Sequence, residues 1–435
     1  MTDVTDLVID SNDFFTESAG SAADFSMESA GSAADFSTES AGSAADFPGA
    51  RGRVYLNACS VGLPPREAEA TYARFARTMA YFEDATFGVL YEELVGFCDA
   101  LARFVGVPEG SVWVDQNASS LLGRFVTALA PNEKRFRVIT SDVEFPSAEV
   151  IFRAFASRGA ELVIVPSSDD GATIDAERVA AAIDERTLFV FVSHSATVSG
   201  ARLDTAPIAE ACARHGALFG LDVYQSVGAF PVDLAALGVD FALGGGHKWL
   251  LGAWDLGWIY VRPELTRELV PVASGWIAGA DPYTFDRQTA LAPNARRFAS
   301  GAPAPLPAML TRLGLDRLAA LGMTNVRAHL DRLADAIADG AEARGLSLLA
   351  PRAARGSHQA LVFSEVAAAC DALRARGIVT SHRPAGSRRA LRVAPHVYND
   401  LSDVERFFEE IHLACTVRAR EYFAPDRVFD PTFGF

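Results

Sequence analysis

The sequence predicts an α/β protein: a large domain with a mainly parallel sheet covered by helices, and a smaller C-terminal α/β domain. From Val54 onward, short apolar segments alternate with helical patterns. After about Ser300 the pattern changes to long helices followed by four short apolar segments. With 435 residues, 50% of them hydrophobic, the chain can bury one large core and a smaller second one.

Six predicted strands form the sheet of the large domain, which we assign to residues 51–300. Helical patterns at 150–158, 176–183 and 208–215 separate several of them. Short apolar strands between helices are typical of a parallel sheet buried on both faces, and such sheets bind ligands at the carboxyl ends of their strands. The strand sequences are RFRVIT, ELVIVP, TLFVFVSH, ALFGLD, DFALGG and LGWIYV.

Residues 301–435 are predicted to form the small domain. Its strand segments LSLLAP, QALVFS, GIVTSH and ALRVAP precede a closing helix at 403–413.

The N-terminal region contains three tandem copies of an eleven-residue unit, which begin at Glu17, Glu28 and Glu39. Eleven residues match three helical turns, so a thin apolar stripe on a helix is one interpretation. Gly, Ser and Asp recur in each copy, and three short copies bury too little apolar surface to offset the entropy of ordering. We therefore expect residues 1–50 to be a disordered tail.

Composition excludes several function classes. The formal net charge is −16 and no basic run occurs, which argues against a nucleic-acid or membrane surface. No apolar stretch is long enough for a membrane helix and no secretory signal begins the chain, so we expect a cytoplasmic protein. The five cysteines are scattered without metal-ligand spacing, so neither a metal site nor a disulfide framework is expected.

Lysine is nearly absent from the chain. Only Lys134 and Lys248 occur, and arginine supplies the rest of the 39 basic residues. Unlike arginine, lysine can lose its proton and form an imine with a carbonyl. A lysine that remains is therefore a candidate for that chemistry, although codon bias accounts for the scarcity itself.

Asp222 and Lys248 lie at the ends of two predicted strands, ALFGLD and DFALGG, on the same edge of the sheet. An aldehyde cofactor on a pyridine ring needs an amine to hold it as a Schiff base and a carboxylate to keep its ring nitrogen protonated. Taken singly, Asp222 would be a helix cap and Lys248 a loop cation. Together with the scarcity of lysine, the pair favours a cofactor site.

The segment LDVYQSVGAFPVDLAALGVDFALGGGHKWLLG resembles the core of the class-V aminotransferase-like pyridoxal-phosphate (PLP) enzymes of fold type I. The resemblance covers about residues 53–415, and the family includes cysteine desulfurases, kynureninases, isopenicillin-N-epimerase-like proteins and carbon–sulfur lyases. It implies that Lys248 is the Schiff-base lysine and Asp222 the pyridinium partner. It also implies that Gln225 contacts the phenolic oxygen or the imine region of PLP.

The segment VDQNASSLLGRF places Ala118, Ser119 and Ser120 where a strand turns into a helix. Unpaired amides at a helix N-terminus bind anions, although an ordinary helix cap has the same pattern. The resemblance implies that this is the phosphate loop, with His247 as a further donor. Relatives place a phosphate-binding threonine where this chain has Ala302.

Two aromatic residues carry kynureninase-like features. In SDVEFPSAEVIF, which resembles a kynureninase segment, Phe145 would stack on the pyridine ring, whereas a core phenylalanine is the commoner alternative. In SGWIAG, Trp276 would reach the phosphate of the neighbouring subunit. The resemblance thus implies a homodimer with shared active sites.

Arg392, within ALRVAPHVYND, is the candidate for binding the α-carboxylate of an amino-acid substrate, because guanidinium offers a carboxylate a two-point contact. Thr197 stands where many relatives have an asparagine near the cofactor oxygen. The segment before Arg392 contains no cysteine, so the persulfide-forming residue of desulfurases is missing, and Cys370 is predicted to be a core residue.

These features predict a PLP-dependent enzyme acting on an α-amino acid. A lyase that expels a β-substituent, sulfur in a cysteine-derived substrate, ranks first. An aminotransferase or epimerase comes next, and a kynureninase-like hydrolase follows, because this chain has FPSA where that family has FPSD. The alternative outside enzymes is a PLP-binding regulatory or scaffold protein, which joint retention of Lys248, Asp222 and Arg392 disfavours.

Overall fold

A computed structural model describes residues 44–287 and 289–421, apart from the side chains of Asp84 and of residues 412–421. Within this part of the chain, no helix is both long and apolar enough to cross a bilayer. The α-helices are α1 (Glu67–Ala80), α2 (Asp84–Phe104), α3 (Ala118–Ala128), α4 (Pro146–Ala156), α5 (Ala176–Ala181), α6 (Ala206–His215), α7 (Pro263–Glu268), α8 (Pro305–Leu321), α9 (Met323–Glu342), α10 (Val366–Ala375) and α11 (Leu401–Glu421). The strands are β1 (Val54–Tyr55), β2 (Val112–Asp115), β3 (Arg137–Ser141), β4 (Glu161–Val165), β5 (Thr187–Ser193), β6 (Leu218–Asp222), β7 (Phe241–Gly245), β8 (Gly257–Val261), β9 (Ser347–Leu348), β10 (Gln359–Val362), β11 (Ile378–Val379), β12 (Ser381–Ala385) and β13 (Arg388–Val393).

The large sheet has seven strands in the order β2-β8-β7-β6-β5-β3-β4. Strand β8 runs antiparallel to both neighbours, and the remaining strands are parallel to one another. The interior strand β5 is buried along its whole length, as expected for a strand with helices on both faces. The predicted mainly parallel α/β architecture is therefore confirmed, and β2, the predicted strand before α3, forms the edge of the sheet next to β8.

A second, antiparallel sheet follows in the C-terminal part, with strands in the order β12-β13-β10-β9. The predicted strand GIVTSH is divided, because β11 leaves this sheet and pairs in parallel with β1 near the start of the fold. Helix α8 packs against α1 and α2. Contacts thus cross the predicted boundary at residue 300, and the division into domains at that residue stays a prediction.

The register of the large sheet brings several strand ends into one row. Ser193 at the end of β5 lies beside Asp222, and Gly245 at the end of β7 lies beside Gly257 of β8. Asp115, the last residue of β2, pairs with the other side of Gly257. Residues that follow these positions are consequently held at one edge of a rigid sheet.

The end of the third N-terminal repeat belongs to the folded structure. Phe47 is fully buried, 5.1 Å from the ring of Tyr398, and Asp46 forms ion pairs with Arg66 and Arg317 at 2.7 and 3.0 Å. The predicted tail boundary at residue 50 is therefore wrong for residues 44–50, since a burial site for Phe47 formed by distant residues cannot be recognised in the repeat itself. The preceding repeats lie outside the described residues.

We predict that Phe47→Ala lowers the thermal unfolding midpoint, because truncating a buried phenylalanine costs about 3–5 kcal/mol. Differential scanning calorimetry would measure the change. Val150→Ala is the matched control, since Val150 is 66% exposed and surface truncations stay within about 0.5 kcal/mol. Equal midpoints for Phe47→Ala and the wild type would contradict the packing of this segment.

Candidate active site

The turn after β7 presents Lys248 at the edge of the large sheet. A Cβ atom at Gly62 would lie 2.0 Å from the carbonyl oxygen of Lys248, so only glycine permits the 62 loop to close against this turn. The Nζ atom lies 4.5 Å from the ring centroid of Tyr224 and 5.7 Å from that of Phe145. The amine thus lies near two aromatic rings.

Burial controls the ionisation of the Lys248–Asp222 pair. It lowers the pKa of Lys248 to about 8, and Asp222 opposes that change while Arg392 adds to it. Burial also raises the pKa of Asp222. Two effects oppose this rise: the backbone N–H of Tyr224 donates a hydrogen bond to Oδ1 of Asp222 at 2.8 Å, and the positive charge of Lys248 is nearby. The result is an amine that loses its proton readily beside a carboxylate at the end of the neighbouring strand.

Three predicted cofactor contacts surround this pair. Phe145 is 48% exposed, and its ring lies near the amine of Lys248. The ring of His247 stacks on Trp254 with centroids 4.3 Å apart, and burial lowers its pKa to about 4, so it is a neutral donor or acceptor near neutral pH. Gln225, in contrast, is buried. Its Nε2 donates a hydrogen bond to Cys59 O at 3.0 Å, and its Oε1 accepts one from the indole N–H of Trp249 at 2.7 Å.

The predicted phosphate loop is the first turn of α3. Asn117 caps the helix by accepting from the N–H of Ser120 at 2.8 Å, while the N–H groups of Ala118 and Ser119 precede the first intrahelical hydrogen bond. A Cβ atom at Gly257 would lie 2.2 Å from Ala118 N, so this glycine permits the helix end to approach the sheet. Gly257 pairs with Gly245, three residues before Lys248, and so connects the helix end to the lysine turn.

Arg392 is buried, with 2% of its surface exposed, and is held by neutral oxygens. Its Nη2 donates to Ser60 Oγ at 2.6 Å and to Ser381 Oγ at 2.9 Å, and its Nη1 donates to Thr197 O at 3.1 Å. No carboxylate of the described residues forms an ion pair with it. A desolvated cation without a counter-charge is costly, so this geometry fits an anionic ligand.

The donor set fits PLP. Lys248 supplies an amine of lowered pKa, Asp222 a carboxylate at the adjacent strand end, and Phe145 a partly exposed aromatic ring. The free amides at the start of α3 suit a phosphate group. Each of the four functions that a pyridine aldehyde phosphate requires therefore has a candidate residue at this edge of the sheet.

Trp276 is separate from these residues. It is 38% exposed, and its ring partners are Phe87, Tyr283 and Phe285, with Phe285 stacked at 5.6 Å. None of these partners belongs to the predicted site. Thr197 joins the site through its backbone carbonyl, the acceptor for Arg392, rather than by a recorded side-chain contact.

Sequence reasoning missed several site residues. The carboxylate of Glu144, beside Phe145, accepts from Ser193 N at 2.9 Å and Ser141 Oγ at 2.7 Å; burial, with a contribution from Asp222, raises its pKa to about 7. Glu144 lies in the kynureninase-like segment SDVEFPSAEVIF, so its position next to Phe145 could have marked it as a site residue. Ser60 and Ser381, which hold Arg392, are 321 residues apart and carry no motif.

The chain belongs to the aminotransferase class-V family. The sequence model of this family matches residues 97–407. The protein is therefore a PLP-dependent enzyme of fold type I, which confirms the class and the cofactor that the resemblance implied.

Two relatives and one solved structure show the extent of the similarity. An uncharacterized aminotransferase of Bacillus subtilis, YcbU, is 28% identical over 71% of this chain and 80% of its own length. A Mycobacterium leprae protein named "Probable cysteine desulfurase 2" is 30% identical over 74% of this chain and 80% of its own length. The cystine C-S lyase C-DES, solved in complex with cysteine persulfide, superposes with a TM-score of 0.76 at 22% identity, covers 84% of this chain and 98% of its own, and supports the fold.

We predict that the rate at which the apoprotein captures PLP rises about tenfold between pH 7 and pH 9, because the neutral fraction of Lys248 grows through its pKa of about 8. Stopped-flow absorbance measures the rate. A free lysine derivative is measured under the same conditions, and its rate is divided by the neutral fraction of its own amine, which has the ordinary pKa of 10.5. The pH dependence that then remains is that of PLP itself, and it is used to correct the rate of the apoprotein.

Asp222→Asn should move this profile to lower pH, since the carboxylate raises the pKa of Lys248. A wild-type profile with its midpoint near the ordinary lysine value of 10.5 would contradict the assignment.

Proposed function

We propose that the enzyme is a β-eliminating carbon–sulfur lyase that acts on a cysteine-derived amino acid. The overall reaction would convert the substrate and water into pyruvate, ammonia and a thiol. PLP, when bound, withdraws electrons from the α-carbon of the amino acid. The observation that carries the proposal is the buried Arg392, without a carboxylate partner among the described residues, within electrostatic range of Lys248.

Arg392 orients the substrate. Ser60, Ser381 and the Thr197 carbonyl hold the guanidinium, so little further side-chain entropy is lost when it pairs with the α-carboxylate. A carboxylate fixed at that position directs the α-carbon towards the lysine turn.

Lys248 moves the proton. Its lowered pKa makes the amine a base near neutral pH, and it takes the proton from the α-carbon. The Cβ–S bond then breaks, the sulfur keeps the electron pair, and the protonated lysine is the nearest acid for the departing thiolate. No external oxidant or reductant is required.

The cysteine positions support elimination over a persulfide mechanism. The sequence contains no cysteine between Cys370 and Cys415, and Cys370 lies buried in α10, where its thiol contacts Thr380. A mobile thiol facing the substrate from the β12–β13 region is thus missing, which disfavours desulfurase chemistry. The similarity to an aminotransferase of Bacillus subtilis favours transamination or epimerisation as the second candidate.

We also propose a cytoplasmic homodimer with shared active sites. Trp276 is partly exposed, and within the described residues its ring contacts are with Phe87, Tyr283 and Phe285. It belongs to an aromatic surface in which Phe285 is 75% exposed and Tyr283 is 48% exposed. A partner subunit would cover this surface and receive Trp276 near its phosphate.

The test is a panel of amino acids and cysteine S-conjugates with pyruvate, ammonia and thiol readouts. We expect equimolar pyruvate and thiol from S-conjugates. Conversion of a keto-acid co-substrate to an amino acid, or loss of optical activity without pyruvate, would contradict elimination and identify an aminotransferase or an epimerase.

Arg392→Lys tests whether Arg392 binds the α-carboxylate of an amino-acid substrate. Ammonium cannot reproduce the planar two-point contact, so kcat/KM should fall by about tenfold or more while the cofactor absorbance persists. Arg389→Lys, at an exposed position of β13, should leave both unchanged. An unchanged kcat/KM in Arg392→Lys would contradict the carboxylate role.

A further inference from the structure

We propose that Arg383 binds a second anionic group, carried by the side chain of the substrate, so that the preferred substrates are cysteine derivatives with an acidic leaving group. This inference rests on the proposed function in one respect: Arg392 is taken to hold the α-carboxylate. The acidic group would be a carboxylate, sulfinate or sulfonate attached through sulfur.

Strand register places the two arginines on one face of the small sheet. Ser381 of β12 lies opposite Arg392 of β13, and Arg383 lies opposite Ala390. Side chains two residues apart on a strand point to the same face, so Arg383 shares the face of Ser381. Ser381 Oγ accepts from Arg392 at 2.9 Å, and therefore this face is the one turned towards the active site.

Arg383 is a partly buried cation that lacks a counter-charge. Its recorded hydrogen bond is to its neighbour's backbone, from Nη1 to His382 O at 2.8 Å. In the described part of the chain, no carboxylate lies within ion-pair distance of it, whereas Arg388 on the adjacent strand pairs with Asp170 at 3.6 Å. Most of the guanidinium donors of Arg383 thus remain available to a ligand.

The charges around Arg383 connect it to the reactive amine. Burial lowers the pKa of Arg383, the nearby charge of Arg392 lowers it further, and Cys59 and Cys370 oppose the change. Arg383 in turn contributes to the lowered pKa of Lys248. The charges of Arg383, Arg392 and Lys248 are therefore close enough to act on one another, and Asp222 is the carboxylate that opposes them at the amine.

This arrangement favours a substrate that carries two negative charges, one on the α-carboxylate and one on the side chain. The Arg392 guanidinium is already held in place by three oxygens and is suited to one carboxylate. A second guanidinium on the same face, further along β12, can pair only with a group beyond the α-carbon. A neutral thioether side chain would leave Arg383 desolvated and unpaired, and an acidic one would neutralise it.

The test compares two substrates of nearly equal size, S-carboxymethyl-L-cysteine and its neutral amide, S-carbamoylmethyl-L-cysteine. With the holoenzyme, kcat/KM for the acid should exceed that for the amide by about tenfold to a hundredfold, the range expected for a hydrogen bond between charged groups. In Arg383→Gln the ratio should fall close to one through loss of activity on the acid alone. Arg389→Gln, exposed and hydrogen-bonded to His382 Nδ1 at 3.0 Å, is the matched control and should keep the wild-type ratio.

Binding constants from the substrate-induced change in cofactor absorbance separate this inference from the lyase proposal. If neither compound is cleaved but the wild type binds the acid more tightly and Arg383→Gln does not, the lyase proposal fails and the role of Arg383 stands. Equal wild-type affinities, or an unchanged preference in Arg383→Gln, would overturn it. Weaker PLP binding by Arg383→Gln would overturn it as well, because Arg383 would then serve the cofactor.

Discussion

The chemistry of this protein depends on lowering the pKa of the Lys248 amine inside the fold. Burial favours the neutral amine, while Asp222 at the neighbouring strand end favours the charged one, and the two effects leave a pKa of about 8. Full exposure would return the pKa of the amine towards its ordinary value of 10.5. A closer ion pair would have the same result, so the separation that the sheet imposes between these two residues is part of the function.

The large sheet fixes this separation. Asp222 ends β6, Lys248 follows β7, and the two strands pair in parallel register. Glycines at positions 62, 245 and 257 let the surrounding loops and the N-terminus of α3 approach where a Cβ atom would collide with neighbouring atoms. The small sheet then adds Arg392 from a different part of the chain, so the active site requires both sheets to hold their relative positions.

The sequence was informative where chemistry follows a local pattern. Lys248 and Asp222 stand directly after apolar strands, and Ala118 follows a strand–helix junction, so the topology of a parallel sheet places them at one edge. Ser60 and Ser381 are ordinary polar residues in sequence, and both contact Arg392 although 321 residues separate them.

Two further differences have physical reasons. Phe47 ends a repeat that is too poor in apolar residues to fold alone, yet it occupies a site beside Tyr398 that no local pattern reveals. Gln225 carries a family resemblance to a cofactor contact, and in the structure its amide joins Cys59 and Trp249. Its contact with the cofactor stays a prediction.

Chemical mapping of the bound cofactor tests the account most directly, because the chain has only two lysines. Borohydride reduction of the holoenzyme followed by peptide mass mapping should place the pyridoxyl label on Lys248. Lys134, which is exposed, should remain unmodified. A label on Lys134, or on neither residue, would contradict the assignment of Lys248 as the cofactor lysine.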